Sequence, residues 1–349
     1  PAALLPGGIA GAAALRRLTQ GRPGRDAPPG GRGRLRSPVP HDPVRYKLTV
    51  AYDGTDFVGW QKQEPIDPAT GERTSLRSVA HVVEQAVRKV LREPVNVKGA
   101  SRTDSGVHAW GQVAAFTSTP DPERGVGWPA DRGCDKLLRA LNSELPGDVL
   151  VRSVEPVPLA FDPVVGAVRK EYSYDFHVGQ SRPLWDRRYV WFTYYDLDLE
   201  RMRRAAAHLI GTHDFNALAQ ISHGRKTTVR TIFSCDVSRA APVSDRCGRQ
   251  PPEAHERADD LRHDRSETGP AAGPAQRAEL ADGERLRLTV CGSGFLYNMV
   301  RIIAGTLMEA GRGRIDPDSI PDILASRDRR RAGPTLPPQG LCLQWIEYA

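Results

Sequence analysis

The sequence predicts an α+β protein of two halves that meet near residue 155. Runs with large apolar residues at every second position alternate with stretches whose apolar residues recur every three to four positions. The alternation occurs once before residue 155 and again after it. Turn-forming clusters of Gly, Pro and Asp separate the runs. At 349 residues the chain is long enough for about two domains.

In Tyr46–Tyr52 the large apolar residues fall at 46, 48, 50 and 52, which predicts a strand closed by the turn Asp53-Gly54. Over residues 76–92 they fall at 76, 79, 80, 83, 86, 87, 90 and 91, one face of an amphipathic helix that Pro94 stops. A strand around Gln112–Phe116 follows, then a short helix around Asp135–Asn142 and the turn Leu145-Pro146-Gly147-Asp148. In the second half Glu171–Phe176 reads as a strand, with Tyr172, Tyr174 and Phe176 on one side. Leu199–Ile210 is a helix ending at Gly211. Thr228–Ser238 and Arg285–Cys291 are strands. Phe295–Ala310 is a helix with Gly311 as its C-cap, and Asp316 caps a last helix with Pro317 at its first position.

The positive charge is local. The whole chain carries +7, with a pI near 9.3. Residues 1–43 alone hold seven Arg against two acids, a net of +5, and 16 of these 43 residues are Gly or Pro. That composition predicts disorder. Its Arg-rich, acid-poor character fits a targeting peptide, and equally a native or mis-assigned N-terminal extension, since it is poor in Ser and interrupted by Gly and Pro. Residues 239–284 are rich in Pro, Gly, Arg and Asp, carry a net of −3 and have almost no large apolar residues. They read as a second disordered segment, inserted in a hairpin.

Other classes fall away. No apolar run reaches the roughly 18 residues of a membrane-spanning helix. The five cysteines (134, 235, 247, 291 and 342) show no paired spacing, which predicts reduced thiols. His208 and His213 lie close together but have no Cys or acid at ligand spacing, so no metal site is predicted.

The chemistry-bearing run is Ser101-Arg102-Thr103-Asp104-Ser105-Gly106-Val107-His108-Ala109, followed by Gly111-Gln112-Val113. A lone Asp in such a turn more often caps backbone N–H groups than reacts. Here the string is long, and further segments occur in a fixed order. They are Tyr52-Asp53-Gly54-Thr55-Asp56-Phe57 with Gly59-Trp60-Gln61, Leu141-Asn142, Arg169-Lys170-Glu171-Tyr172-Ser173-Tyr174 and Gly211-Thr212-His213-Asp214-Phe215. Val229-Arg230-Thr231-Ile232, Met299-Val300-Arg301, Ala332-Gly333-Pro334-Thr335 and Gly340-Leu341 complete the set. On these residues the segment 44–349 resembles the TruA family of tRNA pseudouridine synthases.

That resemblance implies a pseudouridine synthase fold: two ferredoxin-like or RNA-recognition-like halves, 44–155 and 156–349, around a central mixed, mainly antiparallel sheet. It implies a cofactor-free isomerisation of uridine in the anticodon arm of tRNA, at family positions 38–40, by a homodimer. Asp104 would be the catalytic carboxylate, attacking sugar or base, and kept ionised by the cation of Arg301. Arg102 would displace or hold the flipped nucleotide. Tyr172 would pack on the base and assist proton transfer at C5. Lys62, Arg73, Arg77, Arg169, Lys170, Arg225, Lys226 and Arg230 are candidates for phosphate contacts.

One departure stands out. Many members have a His-Ala-Arg-like string after the position of Phe161, where this chain has Asp162-Pro163-Val164, so an RNA-contacting arginine is missing. Two rival readings are a noncatalytic tRNA-binding protein on the same scaffold and a glycosidase. The second needs another carboxylate near Asp104, and the motif holds none. The expected compartment is the cytoplasm, or an organelle if residues 1–43 are a targeting peptide.

Overall fold

The structure, a computed structural model, describes residues 42–220, 227–240 and 283–349, apart from 67, 69 and 72. The tail 1–41, most of the insertion (241–282) and the candidates Arg225 and Lys226 lie outside the described residues.

The first half runs β1 (Val44–Tyr52), α1 (Val79–Leu91), β2 (Lys98–Gly99), β3 (His108–Ser118), α2 (Cys134–Glu144) and β4 (Val149–Val157). Residue 155 lies inside β4. The second half runs β5 (Ala167–Val178), β6 (Trp191–Thr193), α3 (Leu199–Ala207), β7 (Gly211–Asp214), β8 (Val229–Arg239), β9 (Glu284–Gly292), α4 (Met299–Gly311), α5 (Ile320–Ser326) and β10 (Leu341–Tyr348). The fold is α+β, with a mixed sheet of ten strands: eight in the order β4-β1-β3-β10-β5-β9-β8-β7, with β2 paired to β3 and β6 to β5. All pairings are antiparallel except β3 with β10 and β5 with β6. With β6, β7 and α5 as additions to the second half, both halves repeat one β-α-β-β-α-β pattern. Their spatial orders are β4-β1-β3-β2 and β10-β5-β9-β8.

Period-two patterning builds the core. Tyr46, Leu48, Val50 and Tyr52 of β1 are buried together with Tyr172, Tyr174 and Phe176 of β5 and Leu286, Leu288 and Val290 of β9. They form one continuous cluster with the buried faces of the helices, including Val83 and Val87 of α1 and Ile302, Ile303 and Leu307 of α4.

Several boundaries differ from the sequence reading. α1 starts at Val79 and ends at Leu91, because Arg92 already turns into the left-handed region at φ 55°, before Pro94. α3 stops at Ala207 rather than 210. α4 begins at Met299, not Phe295, because Asn298 is left-handed at φ 58°. Gly311 is not the C-cap but the last helical residue, pressed against Met202 of α3: a Cβ there would stand 2.8 Å from the Met202 Cγ. Gly313, at φ 77°, makes the left-handed turn after the helix. Pro317–Ser319 form a 3-10 turn capped by the Asp316 side chain, which accepts from Asp318 N, and α5 follows it.

β4 and β10 were not predicted. β4 buries only Val149 and Val151 in regular alternation. β10 has neighbours on both edges and buries Leu341 through Ile346 without a break, so its apolar run has no period of two.

Candidate active site

The edge of β3 is shared between two partners. β2 pairs with Ala114 and Ala115, and β10 pairs with His108 and Ala109. The loop from β2 to β3, residues 100–107, therefore sits on the seam between the two halves. Asp104 is at its tip.

The loop is held from both halves. Gln112 of β3 is fully buried; its Nε2 donates to Ser101 O at 2.6 Å and its Oε1 accepts from Ser101 N at 3.1 Å. Ala100 N donates to Val113 O at 2.8 Å. Lys170 of β5 donates from Nζ to Ala100 O at 2.9 Å. The Tyr52 and Thr103 hydroxyls bond at 2.8 Å, and the Tyr172 and Ser101 hydroxyls at 2.9 Å. The segment after β1 closes the other side. Trp60 N donates to Thr103 O, and Ser105 Oγ donates to Phe57 O. Gly59 lies at φ 111° with Thr103 O where its Cβ would be, 2.6 Å away. Gly54 is as restricted, because a Cβ would collide with the Val107 carbonyl.

His108 ends the loop. It is buried, its Nδ1 accepts from Gly54 N at 3.1 Å, and its Nε2 lies 2.8 Å from Arg188 O. Burial works to raise the Asp53 pKa. Hydrogen bonds from Thr55 and Tyr189 outweigh it and hold that carboxyl well below the usual range. A cavity of about 280 Å³ opens beside this frame, lined by Asp53, His108, Trp110, Tyr189 and Gln344, with Asp104 outside its wall.

Arg301, in the first turn of α4, reaches back to the loop. Its Nη1 stands 3.7 Å from Asp104 Oδ2, with side-chain exposures of 16% and 30%. Its Nε donates to Leu336 O at 2.6 Å and its Nη1 to Asn298 Oδ1 at 2.7 Å. The expectation that this cation keeps the Asp104 pKa low is corrected by the geometry. Burial raises the Asp104 pKa above the ordinary carboxylate value, and Arg301, at long range, offsets only part of that.

Tyr172 is buried on β5 and meets Phe295 edge-on, with ring centroids 5.2 Å apart. Burial pushes its phenol up to about 12, so it stays neutral near pH 7. A neutral phenol bonded to Ser101 can relay a proton but cannot act as an anionic base.

The seam thus gathers Asp104, Arg301, Tyr172 and Lys170. Arg102 is exposed on the loop and has no ion-pair partner among the described residues. Other candidates for RNA contact are already engaged. Lys62 pairs with the buried Glu84. Arg77 grips Asp148 at 2.8 Å and covers the Phe57 ring. Arg169 lies 3.7 Å from Glu347 and over Phe233. Arg230 donates to Thr227 O and Val229 O at the start of β8. Arg73 is exposed, in a bridge with Ile66. In the Asp162-Pro163-Val164 string, Asp162 accepts from Val164 N at 2.8 Å and pairs with Lys98, leaving Val164 and Val165 exposed. Sequence reasoning missed Asn298, three residues before Arg301, and Leu336, 35 residues after it.

Residues 48–164 and 205–349 match the family model described as tRNA pseudouridine synthase. The chain belongs to that family. It is 35% identical over 302 residues to tRNA pseudouridine synthase A of Geotalea uraniireducens (strain Rf4), covering 86% of this chain and 98% of the relative. A tRNA pseudouridine synthase A from Acetivibrio thermocellus is 36% identical over the same shares. The pseudouridine synthase family model includes the Asp104 loop and Arg301, and leaves out the tail and residues 165–204.

Proposed function

We propose that this protein isomerises uridine to pseudouridine in tRNA, with Asp104 as the attacking carboxylate. The observation that carries the reading is a single one: a carboxylate on the seam, 3.7 Å from Arg301, on a loop whose Ser101 hydroxyl bonds that of Tyr172. The N1–C1′ bond of the nucleotide breaks, the base turns and C5 bonds to C1′. The C5 hydrogen leaves as a proton and N1 takes one up. The target base is flipped from the arm to reach Asp104. Arg102, free on the loop, fills or holds the vacated position. Tyr172 supports the base and relays the C5 proton through Ser101. The targets are uridines at positions 38–40, the active form is a homodimer, and the compartment is the cytoplasm.

The test is tritium release from tRNA labelled at uridine C5, comparing wild type with Asp104→Ala. Release by wild type, lost in the variant while tRNA binding persists, supports the reading. No release by the folded wild type across a full tRNA pool would leave a binding protein. Free uracil in the products would mean a glycosidase. Sedimentation of the protein with and without tRNA tests the dimer.

A further inference from the structure

Asn298 breaks two local rules at once. It precedes α4, where an Asn side chain ordinarily accepts a hydrogen bond from the backbone of the first turn, yet its side chain makes no such cap. Its backbone is left-handed, at φ 58°, a conformation uncommon outside glycine that Asn and Asp adopt more readily than other residues. The side chain is spent elsewhere. Oδ1 accepts from Arg301 Nη1 at 2.7 Å, and Nδ2 donates to Gln220 Oε1.

Arg301 needs such an anchor. A cation in the first turn of a helix faces the positive end of the helix dipole. Its nearest carboxylate contact, at 3.7 Å, is too long for a charged hydrogen bond. The guanidinium is therefore placed by neutral acceptors on either side, Leu336 O on Nε and Asn298 Oδ1 on Nη1. Leu336 O belongs to backbone that is itself fixed: Gly333 N donates to Thr306 Oγ1 of α4, and a Cβ on Gly305 would collide with Pro334 O. The Asn298 contact is the one a side chain supplies.

We propose that Asn298 is a positioning residue that holds the Arg301 guanidinium against Asp104. This rests on the function proposed above. Asn298 touches no reacting atom. It fixes where the cation stands, and so how much of the Asp104 charge is balanced before the base arrives. Of the titratable groups around Asp104, Arg301 faces it from α4, Tyr172 from β5, and Arg102 shares its loop. Only Arg301 is touched by Asn298.

The test compares Asn298→Gly and Asn298→Asp in the full chain. Glycine keeps the left-handed backbone without strain and removes the acceptor. Aspartate also tolerates that backbone and restores the acceptor oxygen. In C5 tritium release, Asn298→Gly lowers kcat by roughly 10- to 100-fold with little change in KM for tRNA. Its acid limb moves to higher pH, and Asn298→Asp recovers most of the loss. A 13C NMR titration of the Asp104 carboxyl gives a readout independent of turnover: its midpoint rises in Asn298→Gly and returns in Asn298→Asp. Unmoved midpoints, or equal losses in both folded variants, overturn the proposal. If wild type releases no tritium, the enzymatic reading falls, and the NMR titration alone decides whether Asn298 places Arg301.

Discussion

The hydroxyls of Tyr52 and Thr103 meet at 2.8 Å, so the last residue of β1 holds the turn that presents Asp104. Both side chains are buried, at 5% and 6% exposure. Tyr52→Phe leaves the Thr103 hydroxyl without that partner and costs about 1–2 kcal/mol. The melting temperature falls, and C5 tritium release falls more than tRNA affinity does. An unchanged melting temperature and rate would remove this bond from the frame of the loop.

Gly59→Ala attacks the same frame from the other side. The new Cβ must displace Thr103 O and also sit at φ 111°. The cost is on the order of 1–3 kcal/mol, with loss of activity from a shifted Asp104. Gly125→Ala is the comparison, because Gly125 is also left-handed, at φ 62°, but has open space where its Cβ would go. Equal destabilisation of the two variants in urea would show that backbone strain, not the collision, governs position 59.

Asp104 weakens the fold at neutral pH. Its folded pKa is raised, so the folded state holds the proton more tightly than the unfolded chain. Stability is then lost as pH rises from the unfolded value, about 4, through the higher folded one. Asp104→Asn removes that penalty. The variant melts at a higher temperature than wild type at pH 7, the gap closes below pH 4, and catalysis is lost. A variant less stable than wild type at pH 7 would mean that Arg301 outweighs burial.

Arg287 and Asp175 form a buried bidentate pair across β9 and β5, at 2.8 and 3.0 Å, with Asp175 only 1% exposed. Arg287→Met removes that bidentate partner from the buried carboxylate and costs about 3–5 kcal/mol. The double variant Arg287→Met with Asp175→Leu recovers most of the loss in chemical denaturation. If the double variant is as unstable as the single, the pair is not where the cost arises.

The Asp104 loop was legible because its residues are consecutive: Gly, Ser, Thr and Asp in one string declare a tight turn whatever surrounds it. Tyr172 and Arg301 were legible only through their order relative to that loop, since an alternating strand and an amphipathic helix give them ordinary places. Lys62 and Arg77 looked free because their partners are distant in the chain: Glu84 lies 22 residues away and Asp148 lies 71 away. Gly311 read as a cap because glycine so often ends a helix. Here the close approach of Met202 needs it instead.

The sequence by itself determined the elements whose side chains alternate, the α+β class, the family and the carboxylate on its loop. All of these are local, carried by neighbours within a turn or a strand. The tertiary structure alone decided that β10 closes the sheet beside β3, which puts the loop on a seam. It also decided that burial outweighs Arg301 in the direction of the Asp104 pKa shift, and that Asn298 Oδ1 accepts from that arginine. The first depends on pairing between strands far apart in the chain and the second on desolvation, both fixed only when the two halves share one sheet; the third spans three residues but needs the left-handed backbone at Asn298.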